Sequence, residues 1–312
     1  MSTAPVRLVL VLSENWTLTS PRDLRGLVRI AEEAEDAGID GVMLSEHIVL
    51  GADSGAGGLM ANPRDYAAPG NQDPATPWPD SLVLMSAIAA VTERIRLIGA
   101  AIIAPLRHPL LLAHQLAALD LLSEGRLVVQ PTVSWHREEY AALGVDFDAR
   151  GGLLDEHLAA WTAAWTQSPA SFEGEHYAFS DVWVEPKPYR PEGPRMWFGG
   201  MKLGPWIIRR LVERGHGLHP FGTPTDDELR RLGERMAAAG RDMAELELVG
   251  GIRGRFPDEH SIADLAEAAE AIPAQLERGF CTICFKASMF TDDPRDVGRV
   301  CRELVARVER FA

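Results

Sequence analysis

Eight short apolar runs, each with room behind it for a helix, restrict the folds open to this chain more than any other feature. The runs are VRLVLVL (6–12), DGVMLSE (40–46), IRLIGAAII (95–103), RLVVQ (126–130), RMWFGG (195–200), HGLHP (216–220), LELVGGI (246–252) and FCTICFK (280–286). Behind the first, Leu24, Leu27, Val28, Ala31 and Ala34 recur at helical spacing, with Ser20-Pro21 as the start signal. Further helices are predicted at about 80–92, 109–122, 153–166 and 204–214. Thr225–Glu228 is a capping box that opens another, and the last begins at Asp293-Pro294. A strand followed by a helix, repeated in this way, predicts parallel pairing in an α/β protein. We read 1–312 as a single (β/α)8 TIM barrel with long loop insertions, a doubly wound open sheet being the rival architecture.

A barrel of this kind needs about 250 residues, and the chain has 312. The excess falls in two stretches rich in Gly, Pro and polar residues, Ile48–Trp78 and Ser168–Pro194, which are expected to be lids or interface pieces. A formal net charge of −14 argues against nucleic acid or an anionic membrane as partner and leaves a small-molecule substrate. No apolar run nears the ~20 residues of a membrane span, and the N-terminus enters a strand without the layout of a signal peptide. Cys281 and Cys284 form a C-x-x-C, but on a strand residues three apart face opposite ways, and no second ligand pair accompanies them. The expectation is reduced structural thiols, no metal site and a cytoplasmic protein.

In a barrel, chemistry gathers at the carboxyl ends of the strands. Those ends carry Glu14-Asn15-Trp16, Ser45-Glu46-His47, Ala101-Ile102, the polar turn from Gln130 to His136, Gly199-Gly200-Met201-Lys202, His219, Arg253 and Lys286. Arg253 and Lys286 would hold an anionic substrate or pair with rim carboxylates. Trp16, Trp78 and Trp197 form an apolar wall or pack in the core. Glu138-Glu139 read as favourable charge at a helix start, Arg150 and Glu156 as fasteners of a loop to its helix, and His108 and His114 as surface or subunit-contact groups.

Several segments together resemble the luciferase-like monooxygenase family, and within it the branch that uses the deazaflavin coenzyme F420. They are LSEH (44–47), AAVTERIRLIGAAIIAPLRHPLLLAHQLAALDLLSEGRL (89–127), WHREEYAALGVDFDARGGLLDE (135–156) and EPKPYRPEGPRMWFGG (185–200). The resemblance implies a homodimer-forming barrel with F420, or alternatively FMN, across its top. It implies a non-proline cis peptide at Ala101–Ile102 behind the ring, and a cofactor-phosphate seat at Gly199, Gly200, Met201 and Lys202. It also implies an acid–histidine pair in which His47 is the catalytic proton donor or a contact of the ring, and Glu46 its partner or a ligand for the cofactor edge. The family's GxGxGW run is altered here: Gln130, Thr132 and Ser134 stand where glycines are expected, and Trp135 remains. Thr132 and Ser134 would then meet the cofactor with hydroxyls instead of bare backbone. Trp16, Trp135, His219, Arg253 and Lys286 are the expected substrate contacts. The implied activity is F420-dependent hydride transfer with a small organic substrate. The alternatives are an FMN-dependent monooxygenase activating oxygen and a non-catalytic ligand-binding homologue.

Overall fold

The computed structural model describes residues 5–311. Strand and helix alternate from β1 (Arg7–Val11) and α1 (Leu24–Asp36) through β2 (Gly41–Leu44), α2 (Ser81–Ala89), β3 (Arg96–Ile103), α3 (Pro109–Leu122) and β4 (Leu127–Thr132). Two helices, α4 (Arg137–Ala142) and α5 (Arg150–Thr166), follow β4, and then two strands, β5 (Ala170–Glu173) and β6 (Ala178–Val182). The order resumes with β7 (Arg195–Phe198), α6 (Pro205–Arg214), β8 (Gly217–Leu218), α7 (Asp226–Ala238), β9 (Glu247–Gly251), α8 (Leu265–Ala269), α9 (Ile272–Glu277), β10 (Phe280–Lys286) and α10 (Val297–Val308). Eight strands close into a parallel barrel in the order β1-β10-β9-β8-β7-β4-β3-β2. The open-sheet alternative is excluded.

The period of two along each strand sorts side chains between two cores. Val9, Val11, Met43, Ile98, Ala100, Val128, Trp197, Val249 and Cys284 fill the barrel. Their neighbours Leu8, Leu10, Val42, Leu97, Val129, Phe198, Leu248 and Ile283 face the helix layer. Gly217 has no side chain because any Cβ there would stand 2.4 Å from the Trp197 indole, which crosses the barrel at that level. The amino-end floor is closed by Glu247, which takes both guanidinium nitrogens of Arg96 at 2.9 Å.

Three local expectations are revised. The stretch from Ser168 to Pro194 is not wholly irregular: β5 and β6 form an antiparallel hairpin with Phe172 paired to Phe179. Its turn is held by Glu156, whose carboxylate accepts the backbone N–H of Glu175, His176 and Tyr177. The ligand atoms of Glu156, Glu175 and His176 lie within 4.8 Å of one another, and that hydrogen bonding accounts for the grouping. The first helix starts not at Ser20-Pro21 but at Leu24, where Asp23 accepts the Gly26 N–H at 2.9 Å. The sixth barrel strand is only Gly217–Leu218. The capping box at Thr225 and Glu228 is present.

Candidate active site at the carboxyl rim

The segment between β2 and α2 lies over the carboxyl end of the barrel and is bolted to it from several sides. Asn62 Nδ2 donates to the carbonyls of Asp258 and Ser261 at 2.9 Å. Arg64 grips Asp292 with two bonds, at 2.9 and 2.6 Å. Gly51 N–H donates to His136 Nε2 at 2.7 Å. Lys286 Nζ donates to the Asp65 carbonyl at 3.0 Å. Next along the chain, Tyr66 drops its ring onto the residues that line the barrel, and Arg253, exposed on the rim, lies 5.6 Å from that ring.

His47 sits under this cover. Its Nδ1 is 3.1 Å from Glu139 Oε2, and both residues are buried. A carboxylate only accepts, so Nδ1 carries the hydrogen of this bond and Nε2 is left without a hydrogen-bond partner among the described residues. Glu139 Oε1 also accepts the Ile48 N–H at 2.6 Å and lies 3.4 Å from Val49 N. Trp78 and Trp135 stand edge-on to the imidazole, with centroids 5.1 and 5.8 Å away.

Here the expected pairing changes. Glu46 is not the partner of His47: just past the end of β2 the two side chains turn to different partners. The Glu46 carboxylate turns to Arg107, with bonds of 2.8 and 2.9 Å, and also accepts from Ile103 N–H and Ser81 Oγ. It is a buried bracket between β2, β3 and α2. The acid beside His47 is Glu139 on α4, which the sequence offered only as a helix-start charge. The signal for it was its place beside Tyr140, which is fully buried: α4 turns that edge inward.

The non-proline cis peptide is Ala100–Ala101, one residue before the expected Ala101–Ile102. The β3–β4 register shifts across the same point, between Ala100 and Ile102. Ala100 lines the barrel, whereas Ile102 is buried in the outer core and does not face the chamber.

The altered polar turn has separate jobs for its three departures from glycine. Gln130 is buried, and its Oε1 meets His219 Nδ1 at 2.7 Å, which fixes the ring between Trp197 and Phe221. Burial pushes His219 down to about 4, so the imidazole is neutral near pH 7. Ser134 keeps the left-handed backbone of a glycine, with φ at 58°. Thr132 is half-buried and, among the described residues, makes no side-chain hydrogen bond.

Gly199 is required by the close approach of β7 to β8, since a Cβ there would be 1.7 Å from the His219 carbonyl oxygen. Met201 and Lys202 are exposed in the turn that follows, and α6 begins at Pro205 without a side-chain cap. A helix start without a side-chain cap is a usual setting for a phosphate. At the other side of the rim, burial pushes Glu14 up against the opposing pull of Lys286 and His47. Burial also draws Lys286 down to about 8. Cys284, inside the barrel, is pushed by burial up to about 12 and stays a thiol.

Whether these residues suit a ring cofactor can be judged from polar atoms that lack partners. Trp16 Nε1, Tyr66 Oη, Trp78 Nε1, Trp197 Nε1 and Ser288 Oγ are buried without one. Trp78 stands against His47, Tyr66 packs on the barrel lining, Trp16 and Ser288 follow the ends of β1 and β10, and Trp197 Nε1 lies deeper, beside Gly217 toward the Arg96–Glu247 floor. The four donors on segments at the carboxyl ends of the strands fit a planar group edged with oxygens and nitrogens, and the 199–204 turn fits its phosphorylated tail. Tyr66 lies where such a ring would enter and would have to swing aside or stack upon it.

A sequence model of the family described as luciferase-like monooxygenase matches residues 7–254. An uncharacterized protein of Mycobacterium tuberculosis is 37% identical over 169 residues, covering 53% of this chain and 57% of that protein. The FMNH2-dependent dimethylsulfone monooxygenase of Pseudomonas putida is 33% identical over 209 residues, covering 64% of this chain and 56% of the enzyme. The matches thus span little more than half of these relatives. The coenzyme F420-dependent tetrahydromethanopterin reductase of Methanopyrus kandleri superposes with a TM-score of 0.71, covering 97% of this chain and 99% of that one. At 13% identity it shares the fold alone. Among the described residues no helix is long and apolar enough to cross a membrane.

Proposed function

Because the chain belongs to the luciferase-like monooxygenase family, an oxidoreductase family, we propose that it is an F420-dependent oxidoreductase acting on a small organic substrate. The observation that carries this reading is the buried His47–Glu139 pair, bonded at 3.1 Å under a lid and beside unpartnered donors. When bound, a deazaflavin supplies or accepts a hydride, and the chain must then handle the accompanying proton. Glu139 holds His47 in one tautomer and in one plane, and His47 Nε2 faces the chamber as the proton-transfer atom. Trp78 and Trp135 wall the imidazole off, and the Asn62, Arg64 and Lys286 contacts of the lid keep water out. Gly199, Gly200, Met201 and Lys202 with the start of α6 would hold the phosphate end. Ala101, Thr132 and Ser134 would lie along the ring, and Trp16, Trp135, His219, Arg253 and Lys286 would surround the substrate.

A second reading, an FMN-dependent monooxygenase that activates oxygen, is favoured by the 33% identity to the dimethylsulfone enzyme. Fluorescence quenching of the purified protein by F420 and by FMN separates the two. Selective quenching by F420 supports the first, selective quenching by FMN the second, and quenching by neither leaves a non-catalytic homologue. The same reading includes a cytoplasmic homodimer. Val83 and Val91 near α2, and Leu111 and Leu122 on the adjacent α3, are exposed apolar groups that a second copy would cover. Sedimentation should give twice the 34.1 kDa chain mass, and Leu111→Glu with Leu122→Glu should return a monomer.

A further inference from the structure

Lys286 closes β10 on the face that lines the barrel, in phase with Thr282 and Cys284. It is 1% exposed. An ammonium has three donors to place, and this one places a single donor, on the Asp65 carbonyl. Among the described residues it makes no ion pair within 4.0 Å, and the carboxylates that act on it from farther off are Glu14 and Asp65. Other buried cations near the rim are closed by carboxylates, as Arg107 is by Glu46 and Arg64 by Asp292. Tyr66, the residue after Asp65, packs on the barrel lining with its Oη buried and unpartnered, and Ser288 Oγ, two residues past Lys286, is unpartnered too. A buried cation with donors to spare, and unmatched hydroxyls on the lid and strand segments it joins, are costly unless a ligand completes them.

We infer that Lys286 Nζ and Tyr66 Oη form an oxyanion subsite, so that the substrate of the reaction proposed above is a small organic acid, a carboxylate or a sulfonate. The acid head group takes the ammonium from the Asp65 carbonyl, and Tyr66 adds a hydroxyl donor. The inference rests on the mouth of the barrel being the substrate chamber. It does not depend on which cofactor serves there.

The charged surroundings are consistent with a bound anion. Glu14 faces Lys286 from β1, and its burial pushes it toward the neutral acid, which weakens repulsion. Asp65 faces it from the lid, and His47 acts on Glu14 as well. Arg253 lies over the Tyr66 ring, and Cys284 on the same strand stays a thiol. Burial pushes Tyr66 up, so its hydroxyl remains a donor. Lys286, drawn down to about 8, is charged below that pH and neutral above it. Anion binding should therefore be present at lower pH and lost as pH rises through that value.

The test uses isothermal titration of the protein without cofactor against hexanesulfonate, hexanoate, hexanamide and hexanol. The two acids should bind at least about tenfold more tightly than the uncharged pair. Hexanesulfonate keeps its charge throughout, so weakening between about pH 6.5 and 9.5 reports the protein's own titration. Lys286→Met should lose about tenfold, Lys286→Arg should retain most of the affinity, and Tyr66→Phe should fall between. Equal binding of acid and amide, or binding indifferent to pH, overturns the subsite. Should Lys286→Met not fold, the pH series on the unaltered protein decides. F420 and FMN binding is measured in parallel. Cofactor binding without acid preference removes the subsite and spares the redox reading. Acid preference without binding of either cofactor does the reverse.

Discussion

Replacing Glu139 with Gln changes one oxygen to an amide nitrogen and little else in shape. The backbone N–H of Ile48, at 2.6 Å, needs an acceptor, so the amide oxygen takes the Oε1 position. The amide NH2 then faces His47 Nδ1, where the carboxylate oxygen stood at 3.1 Å. Two donors cannot share one bond, so Nδ1 must become the acceptor and the ring hydrogen must move to Nε2. His47 keeps its position and presents the opposite chemistry to the chamber.

Two well-formed bonds to a charge become bonds to a neutral amide, a loss of about 1 kcal/mol each. Relief from burying an ionised carboxyl offsets part of this, leaving a cost of about 1–2 kcal/mol. At roughly 2.1 cal/mol/K per residue, the unfolding entropy of a chain of this size is about 0.65 kcal/mol/K, so Tm should fall by only about 2–3 °C. Turnover should fall far more, by about 10²–10⁴, as expected when a general base is held in the wrong tautomer. Nitrogen NMR of the histidine-labelled protein reads the tautomer directly and needs no substrate. His47 should carry its hydrogen on Nδ1 in the parent and on Nε2 in Glu139→Gln. A parent already in the Nε2–H form, or a variant whose nitrogen shifts do not exchange, would refute the assignment of Glu139 as the positioning residue.

Arg107→Met strips the buried Glu46 carboxylate of its two guanidinium bonds. It should cost about 3–5 kcal/mol, measured by chemical denaturation, whereas Glu46→Gln with Arg107→Met should recover much of that loss. Burial is the main reason His136 is held below its usual range. A lowered histidine pKa favours the neutral form, so the His136–Gly51 anchor is intact above the usual histidine value and weakens as pH falls below it. The protection of the Gly51 amide relative to its intrinsic exchange rate at each pH should accordingly fall as pH drops from about 7 to 5, and pH-independent protection counts against the anchor. Ser134→Gly removes the cost of a left-handed backbone, roughly 1 kcal/mol, and adds some chain entropy. Its Tm should stay level or rise slightly, and a clear fall would mean that the Ser134 hydroxyl matters to the fold.

The barrel was legible because its signal is redundant. Each strand alternates between two cores, and Val9, Ile98 and Cys284 separate from Leu8, Leu97 and Ile283 by period alone. The β5–β6 hairpin was overlooked because a four-residue edge strand is short against a Gly- and Pro-rich background. Even so, Phe172 and Phe179 on either side of Gly174 marked it. The rim was legible as a place and less so as a set of contacts. Glu46 and His47 are adjacent in sequence, yet past the end of β2 they turn to different partners, Arg107 and Glu139. Glu139 lies 92 residues from His47 and reaches it only because α4 folds back over β2. No local pattern encodes such a meeting.

The same distinction explains the altered glycine run. Read along the chain, three lost glycines look like the loss of a ligand surface. In three dimensions each substitution meets a different constraint. Gln130 fills a gap across the barrel and fixes His219 on β8, which backbone alone cannot do. Ser134 retains the backbone torsion that glycine would have supplied. Thr132, half-buried and with no hydrogen bond to its side chain among the described residues, is the member of the three free to meet a ligand. A run that has kept its backbone path while acquiring one cross-barrel clamp and one free hydroxyl has a changed chamber. Selectivity among ligands is the property such a change alters first, because it depends on which donors remain unmatched after the barrel has closed.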